Sequence, residues 1–395
     1  MWFDPHEPGG SSEDVIRLPI VDTGTMTPSV REFREGDQEK LVELLTTVFN
    51  GWPRIDVPCS PLNYWRWKYE GRPGVEKRIS VVEAEGGDVV GCVHAIPLTF
   101  NGLDGVDLCA TGVDYAVHPD YRGSGLGLLL GNHINEMLSG AGYKFTYNIT
   151  GNPKLIKSMS RDHVAFPGAV LNYVKVNDID RQLRAYPMSN DWLVRAGFPL
   201  LKRVVRLRGL VRGRGGEKLV ERADSFGDEA DSLWGKVKDN YRFAVRRDAD
   251  YLNWRYCDSR VGGYEIRKTY DGDRLIGYCV FRANRYKEEY PVGYICELVT
   301  EPGRPDVAEA LVKATVEWFE DADVNIVNFQ GMEASPMFRV LERHGFINSQ
   351  VKINVFLKPL VRPEELNAII GSDPRGIMVS WGDHDVLPVD FPHYM

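Results

Sequence analysis

At 395 residues the chain is longer than one ordinary hydrophobic core organises, so two domains are expected. Its 43% hydrophobic and 26% charged residues mark a globular protein, and a net charge of −8 argues against general nucleic-acid binding. The six cysteines are scattered, with no Cys-x-x-Cys pair and no histidine at metal-ligand spacing, which argues against a metal centre and for a reducing, cytoplasmic setting.

In chain order, residues 1–27 are rich in Gly, Ser, Pro and acids and read as a flexible extension. An amphipathic helix over 38–49 and a Tyr/Trp-rich helical turn at Tyr64, Trp65, Trp67 and Tyr69 come next. Strands follow near 79–84 and 89–98, then a turn at Asn101 and Gly102, and a strand over 107–117. A helix over 125–139, a strand over 143–149, a helical turn at 153–161 and a strand over 168–177 complete the series. Residues 183–222 read as a basic linker, with Arg195, Lys202, Arg203, Arg206, Arg208, Arg212 and Arg214 set among apolar residues. Such a stretch can lie on an anionic membrane surface or against the acidic body of the protein, and Gly197 and Pro199 interrupting any long helix favour the latter.

The same order then returns. Tyr251, Trp254, Arg255 and Tyr256 repeat the spacing of Tyr64, Trp67, Lys68 and Tyr69, again after an amphipathic helix (230–240) and before a glycine-bearing hairpin signal. Strands over 275–283 and 292–300, a helix over 306–320, a strand over 324–329, a helix over 335–344 and a strand over 350–357 follow. Recurrence of this length predicts two tandem units of one α/β fold with a mixed sheet, over 28–182 and 223–360, with a tail at 361–395.

The stretch from Val117 to Gly127 carries the most chemistry. A strand turns sharply into a helix, with Arg122, Gly123, Ser124, Gly125, Leu126 and Gly127 in the turn. Glycines allow close backbone approach, and a helix N-terminus presents free N–H groups, so the turn suits a pyrophosphate. Neither G-x-G-x-x-G nor G-x-x-x-x-G-K-[ST] fits, and Gly123-Ser124-Gly125 is not a hydrolase elbow. The pattern that fits is [RQ]-x-x-G-x-[GA], filled by Arg122, Gly125 and Gly127. At the matching point of the second unit the chain reads Glu301-Pro302-Gly303-Arg304-Pro305, where prolines remove donors and stiffen the turn.

With this motif and with His118, Pro119, Asp120 and Tyr121 ahead of it, the chain resembles the GNAT acyltransferases over most of residues 28–360. The resemblance implies an N-terminal GNAT domain with an intact acyl-CoA loop and a degenerate C-terminal one. It implies acetyl-CoA as co-substrate without a metal, a small-molecule amine acceptor, and a monomer or homodimer. Backbone at Ala116 and Val117 would meet the pantetheine, residues 122–127 the pyrophosphate, and Asn152 the start of the next segment. Many GNATs use a strand glutamate as base. Here that position is Thr111, which leaves Asp114 as the nearest carboxylate, as base or as anchor of the acceptor amine. The tyrosine that often protonates the thiolate is absent, so Tyr147, Ser158 or solvent stands in, and His94 is a secondary candidate. Glu297 is a further carboxylate that could face a cleft between the units. Members from surface-polysaccharide gene clusters share the Tyr/Trp helix and a closing Trp381-Gly382-Asp383-His384-Asp385, which suggests an amino-sugar or nucleotide-sugar acceptor. A longer acyl or aminoacyl donor, and a non-catalytic acyl-CoA-binding scaffold, are the alternatives.

Overall fold

The computed structural model describes residues 28–185 and 219–387, apart from 73, 103, 104, 152, 372 and 386; the 1–27 extension, most of the basic linker and Asn152 lie outside the described residues. In the first half the chain forms β1 (Ser29–Glu32), α1 (Gln38–Val48), α2 (Pro61–Glu70), β2 (Arg78–Glu83), β3 (Val89–Gly102) and β4 (Gly105–Val117). It continues through α3 (Leu126–Gly140), β5 (Phe145–Thr150), α4 (Pro153–Met159), β6 (Val164–Ala165), β7 (Val170–Val176) and α5 (Ile179–Ala185). The second half comprises β8 (Val220–Ala223), α6 (Asp228–Val237), α7 (Ala249–Leu252), β9 (Tyr264–Asp271), β10 (Arg274–Asn284) and β11 (Val292–Thr300). Next come α8 (Pro305–Asp321), β12 (Ile326–Met332), α9 (Met337–Arg343), β13 (Ile347–Pro359) and α10 (Pro363–Ile370).

Local chemistry explains where the elements start and which face they bury. Helix α1 buries Leu41, Leu44 and Leu45, one stripe at helical spacing. Ser60 caps α2, its hydroxyl accepting from the Asn63 N–H at 3.3 Å, with Pro61 in the first turn where its missing N–H costs nothing. Asp248 caps α7 in the same way, accepting from the Tyr251 N–H at 2.8 Å. Helix α6 carries Asp228, Glu229 and Asp231 in its first turn, against the positive end of its dipole.

All the strands join one mixed sheet in the order β1-β2-β3-β4-β5-β13-β7-β12-β11-β10-β9-β8, with β6 paired to β13 beside this path. The halves therefore exchange their last strands: β13 lies antiparallel to β5, and β7 lies antiparallel to β12. This burial of backbone edges removes an exposed pairing surface in the middle of the sheet, and only the four-residue β1 and β8 end it. Those two strands have no clear apolar alternation (their burial runs from exposed to half-buried), which is why pattern reading passes over them.

Between the halves, Trp67 and Trp254 stack at 5.6 Å between ring centroids. Each indole N–H donates to the other residue's carbonyl, Trp67 to Trp254 at 2.8 Å and Trp254 to Trp67 at 3.1 Å. The repeated Tyr/Trp segments thus meet face to face and satisfy their own polar atoms in the core. The chain after α10 does not trail away. Ile377 pairs with Phe243, and a 3-10 turn over Trp381–Asp383, held by a capping box from Ser380, is buried where the halves meet.

Candidate active site

Strands β4 and β5 run parallel and pair only at Cys109–Phe145, Ala110–Thr146 and Thr111–Tyr147. The other edge of β5 pairs with β13 along its whole length, and beyond Thr111 β4 continues without β5 through Gly112, Val113, Asp114, Tyr115, Ala116 and Val117. A strand edge of this kind offers alternating N–H and C=O groups to an extended ligand. Ala116 is buried and Val117 half-buried, both on the free stretch. Tyr147 sits at the apex of the splay, 1% exposed, and its hydroxyl donates to the Asp383 carbonyl at 3.4 Å. Burial pushes its phenol far above the usual range, helped by Asp383 nearby.

At the end of β4 the backbone turns into α3 through Arg122, Gly123, Ser124 and Gly125, all exposed. Gly123 and Gly125 hold φ of +79° and +81°, and a Cβ on either would meet nothing within 4 Å. The left-handed backbone, not crowding, is what requires glycine here. The Ser124 hydroxyl donates to the Tyr121 carbonyl at 2.5 Å, closing the turn. Leu126 is buried and anchors the helix start, and the Tyr115 hydroxyl donates to the Gly127 carbonyl, tying strand to helix. The result is an open ring of backbone at the N-terminus of a 15-residue helix, which fits a pyrophosphate.

Asp114 lies on a β-bulge: Cys92 pairs with Ala116 and His94 with Val113, which leaves one more residue on β4 than on β3. Its φ of +45° belongs to the left-handed region and re-aims the side chain inward. There the carboxylate accepts from the Trp52 indole at 3.0 Å, from Lys68 Nζ at 2.8 Å and from the Tyr69 hydroxyl. Burial alone would raise this carboxyl, but Lys68 and the other donors outweigh it and hold the group below the ordinary carboxylate range. Lys68, 1% exposed, also pairs with Asp385 Oδ1 at 2.5 Å. Asp385 goes the other way: burial raises its carboxyl, the ion pair with Lys68 opposes this, and the Asp114 charge adds to it. Its side chain keeps 19% exposure, against 6% for Asp114, so it is the carboxylate nearer to solvent.

His94 does not face an open acceptor space. It is 0% exposed, with Tyr69 stacked on it at 4.3 Å and the Trp65 indole donating to its Nε2 at 3.1 Å. Desolvation pulls it down to about 4, so it is neutral near pH 7 and acts as packing. Three other residues at this centre, Lys68, Tyr69 and Asp385, were not singled out as chemistry from sequence. Their only signal was the repeated basic-aromatic pair and the acidic closing motif.

The second half has a matching carboxylate. Glu297 on β11 also lies beside a bulge, since Val280 pairs with Glu297 and Phe281 with Ile295. It accepts from the Tyr256 hydroxyl at 2.8 Å, as Asp114 does from Tyr69, and from Arg247 at 3.4 Å. Gly382 packs so closely on Glu297 and Tyr256 that any side chain there would overlap them. Glu297 is therefore sealed at 0% exposure and opens into no cleft. Arg247 links it to the closing segment, donating to Asp383 Oδ2 at 2.7 Å. Among the described residues no group of three or more His, Cys, Asp or Glu is placed to hold a metal ion, and no helix is long and apolar enough to cross a membrane.

Residues 29–158 match the family model of the acetyltransferase (GNAT) domain. Among solved structures the chain is similar to a GCN5-related N-acetyltransferase from Anabaena variabilis, at 11% identity and TM-score 0.59, over 85% of this chain and 73% of that one. A probable N-acyltransferase from Enterococcus faecalis matches at 12% identity and TM-score 0.57, over 87% and 74%. Saccharomyces cerevisiae N-myristoyltransferase, solved with bound myristoyl-CoA and inhibitors, matches at 12% identity and TM-score 0.57, over 93% and 88%. No curated protein matches the chain by sequence. Residues 29–158 therefore form a GNAT acetyltransferase domain, and the fold as a whole is the one these N-acyltransferases share.

Proposed function

We propose that this GNAT acetyltransferase moves an acetyl group from acetyl-CoA to the amine of a small molecule, an amino sugar or a nucleotide sugar, by direct transfer. The observation that carries the reading is the splay of β4 from β5 ending in an open, left-handed glycine turn at the N-terminus of α3. In this reading residues 122–127 hold the pyrophosphate, the free edge at Ala116 and Val117 pairs with the pantetheine, and acetyl-CoA supplies the activated acyl group. Residues 28–182 are the working unit and 223–360 a GNAT-like unit whose Pro302 and Pro305 leave it without a phosphate cradle.

The acceptor amine must lose a proton and the departing thiolate must gain one. Asp385 takes the first role: it keeps some contact with solvent, and its raised carboxyl is a better proton acceptor than the depressed Asp114, which accepts three hydrogen bonds. Asp114 and Lys68 then serve as positioning residues that hold Asp385 in place. Tyr147, kept protonated by burial at the apex of the splay, is the proposed donor to the thiolate, for which its hydroxyl turns away from the Asp383 carbonyl it now donates to. Release of free coenzyme A, followed with a panel of amino sugars, tests the reading. Asp385→Asn should lower kcat by about 10²–10⁴ while leaving KM for acetyl-CoA near its starting value. Its wild-type counterpart should lose activity as pH falls through a point above the ordinary carboxylate range. Full turnover in Asp385→Asn would remove Asp385 from the mechanism, and turnover with no amine in the panel would remove the amino-sugar assignment.

A further inference from the structure

Among the described residues five lysine and arginine side chains are buried, and four of them face carboxylates. Lys68 holds Asp114 and Asp385, Arg247 holds Glu297 and Asp383, Lys268 holds Glu229, and Arg282 holds Asp56. The fifth, Arg255, is 6% exposed and forms no ion pair with any described residue. Its Nη2 donates to the His384 carbonyl at 2.6 Å, and its guanidinium lies 5.9 Å from the centre of the Trp67 ring. Nε and Nη1 make no hydrogen bond, and neither is sealed from solvent. Tyr64, Tyr251, Tyr256 and Tyr264 lie around it, but burial raises their phenols, so they stay neutral and supply no counter-charge. A buried charge without a counter-ion is costly, and a guanidinium with open donors fits an oxyanion.

The repeat sharpens the point. Arg255 stands in the second half where Lys68 stands in the first, on a π-helical turn over Asn253–Cys257, a widened turn frequent at functional sites. Lys68 is neutralised by two carboxylates, whereas its counterpart keeps its charge for something else. Arg255 is also next to the acceptor side of the proposed reaction: His384, which it bonds, directly precedes Asp385, and its charge acts on the Asp385 carboxyl and the Tyr64 phenol.

We propose that Arg255 anchors an oxyanion of the acceptor, a phosphate or a carboxylate, so that the acceptor is an acidic amine and not a neutral sugar. This rests on the reading of Asp385 as the residue that takes the acceptor's proton. An acceptor carrying both an amine and an anion is then held at two points, the anion by the open donors of Arg255 and the amine at Asp385. Of the acceptors named above, a nucleotide sugar meets this requirement through its phosphates, and an unmodified amino sugar does not.

The test uses the full chain carrying Gly125→Glu, so that anions are kept from the glycine turn and the outcome does not depend on acetyl transfer. Glucosamine, glucosamine-6-phosphate and glucosaminuronic acid are titrated separately by calorimetry, with and without Arg255→Met. The expected result is that an acidic amine binds at least about tenfold more tightly than glucosamine, and that Arg255→Met abolishes the preference. The tighter of the two acidic probes assigns a phosphate or a carboxylate. The ligand-free Arg255→Met protein should melt no lower than its parent, because the substitution removes a buried charge that has no counter-ion. Should that variant fail to fold, Arg255→Lys keeps the charge without the planar fork and should still weaken the preference. Equal affinity for acidic and neutral amines, a preference that the substitutions leave intact, or no binding of any probe at millimolar concentration overturns the proposal. Binding and coenzyme A release are read separately, so loss of the preference strikes the anion site and loss of release strikes the transfer reading.

Discussion

The two halves build the same frame and finish it differently. In each, a bulged central strand turns a carboxylate inward, and the last tyrosine of a Tyr-x-x-Trp-basic-Tyr segment donates to it: Tyr69 to Asp114, Tyr256 to Glu297. In each, that strand then parts from its parallel neighbour. The difference lies in what closes the frame. The first half ends its strand in an open glycine turn, and its carboxylate shares Lys68 with a partly exposed Asp385. The second half ends in a proline-stiffened turn, and Gly382 covers its carboxylate. A shared fold thus supplies the gap, whereas a handful of loop and tail residues decide how each half closes it.

The comparison can be broken most forcefully at Lys68. Methionine there leaves Asp114 and Asp385 buried together without their cation, and the protein should lose about 3–5 kcal/mol of stability, read by denaturant unfolding. A loss well under 1 kcal/mol would mean that the first-half carboxylates do not depend on their shared lysine.

A smaller effect sharpens the contrast through pH. His94 is held neutral by burial, down to about 4 against an ordinary 6.5, so the unfolded chain binds a proton in that window and the folded chain does not. Stability is therefore present above pH 6.5 and declines as pH falls toward 4. His94→Gln should make that decline shallower, and an unchanged slope would show that His94 is not sealed as described.

How far the sequence foretold this molecule follows from the range of each interaction. The glycine turn and the continuous apolar runs of β10 and β11 are local, so a short window suffices to read them. The mixed α/β sheet was expected on the same grounds. The exchange of β7 and β13 was not, because nothing in either strand records which neighbour it meets. Asp385 escaped for a related reason. Asp385 gains its chemistry from Lys68, some three hundred positions earlier in the chain. The burial of His94 was not legible either, because an apolar strand offers a histidine either face, and only the packing of Trp65 and Tyr69 settles which it takes.

The central claim is that the first half's turn is an acyl-CoA cradle, and calorimetry of acetyl-CoA with the wild type and with Gly125→Glu tests it most directly. The account predicts binding at one cradle in the wild type and a loss of at least about a hundredfold, roughly 2.7 kcal/mol, in the variant, where a carboxylate meets the phosphates. Equal binding by the two proteins, or none by either, would contradict it.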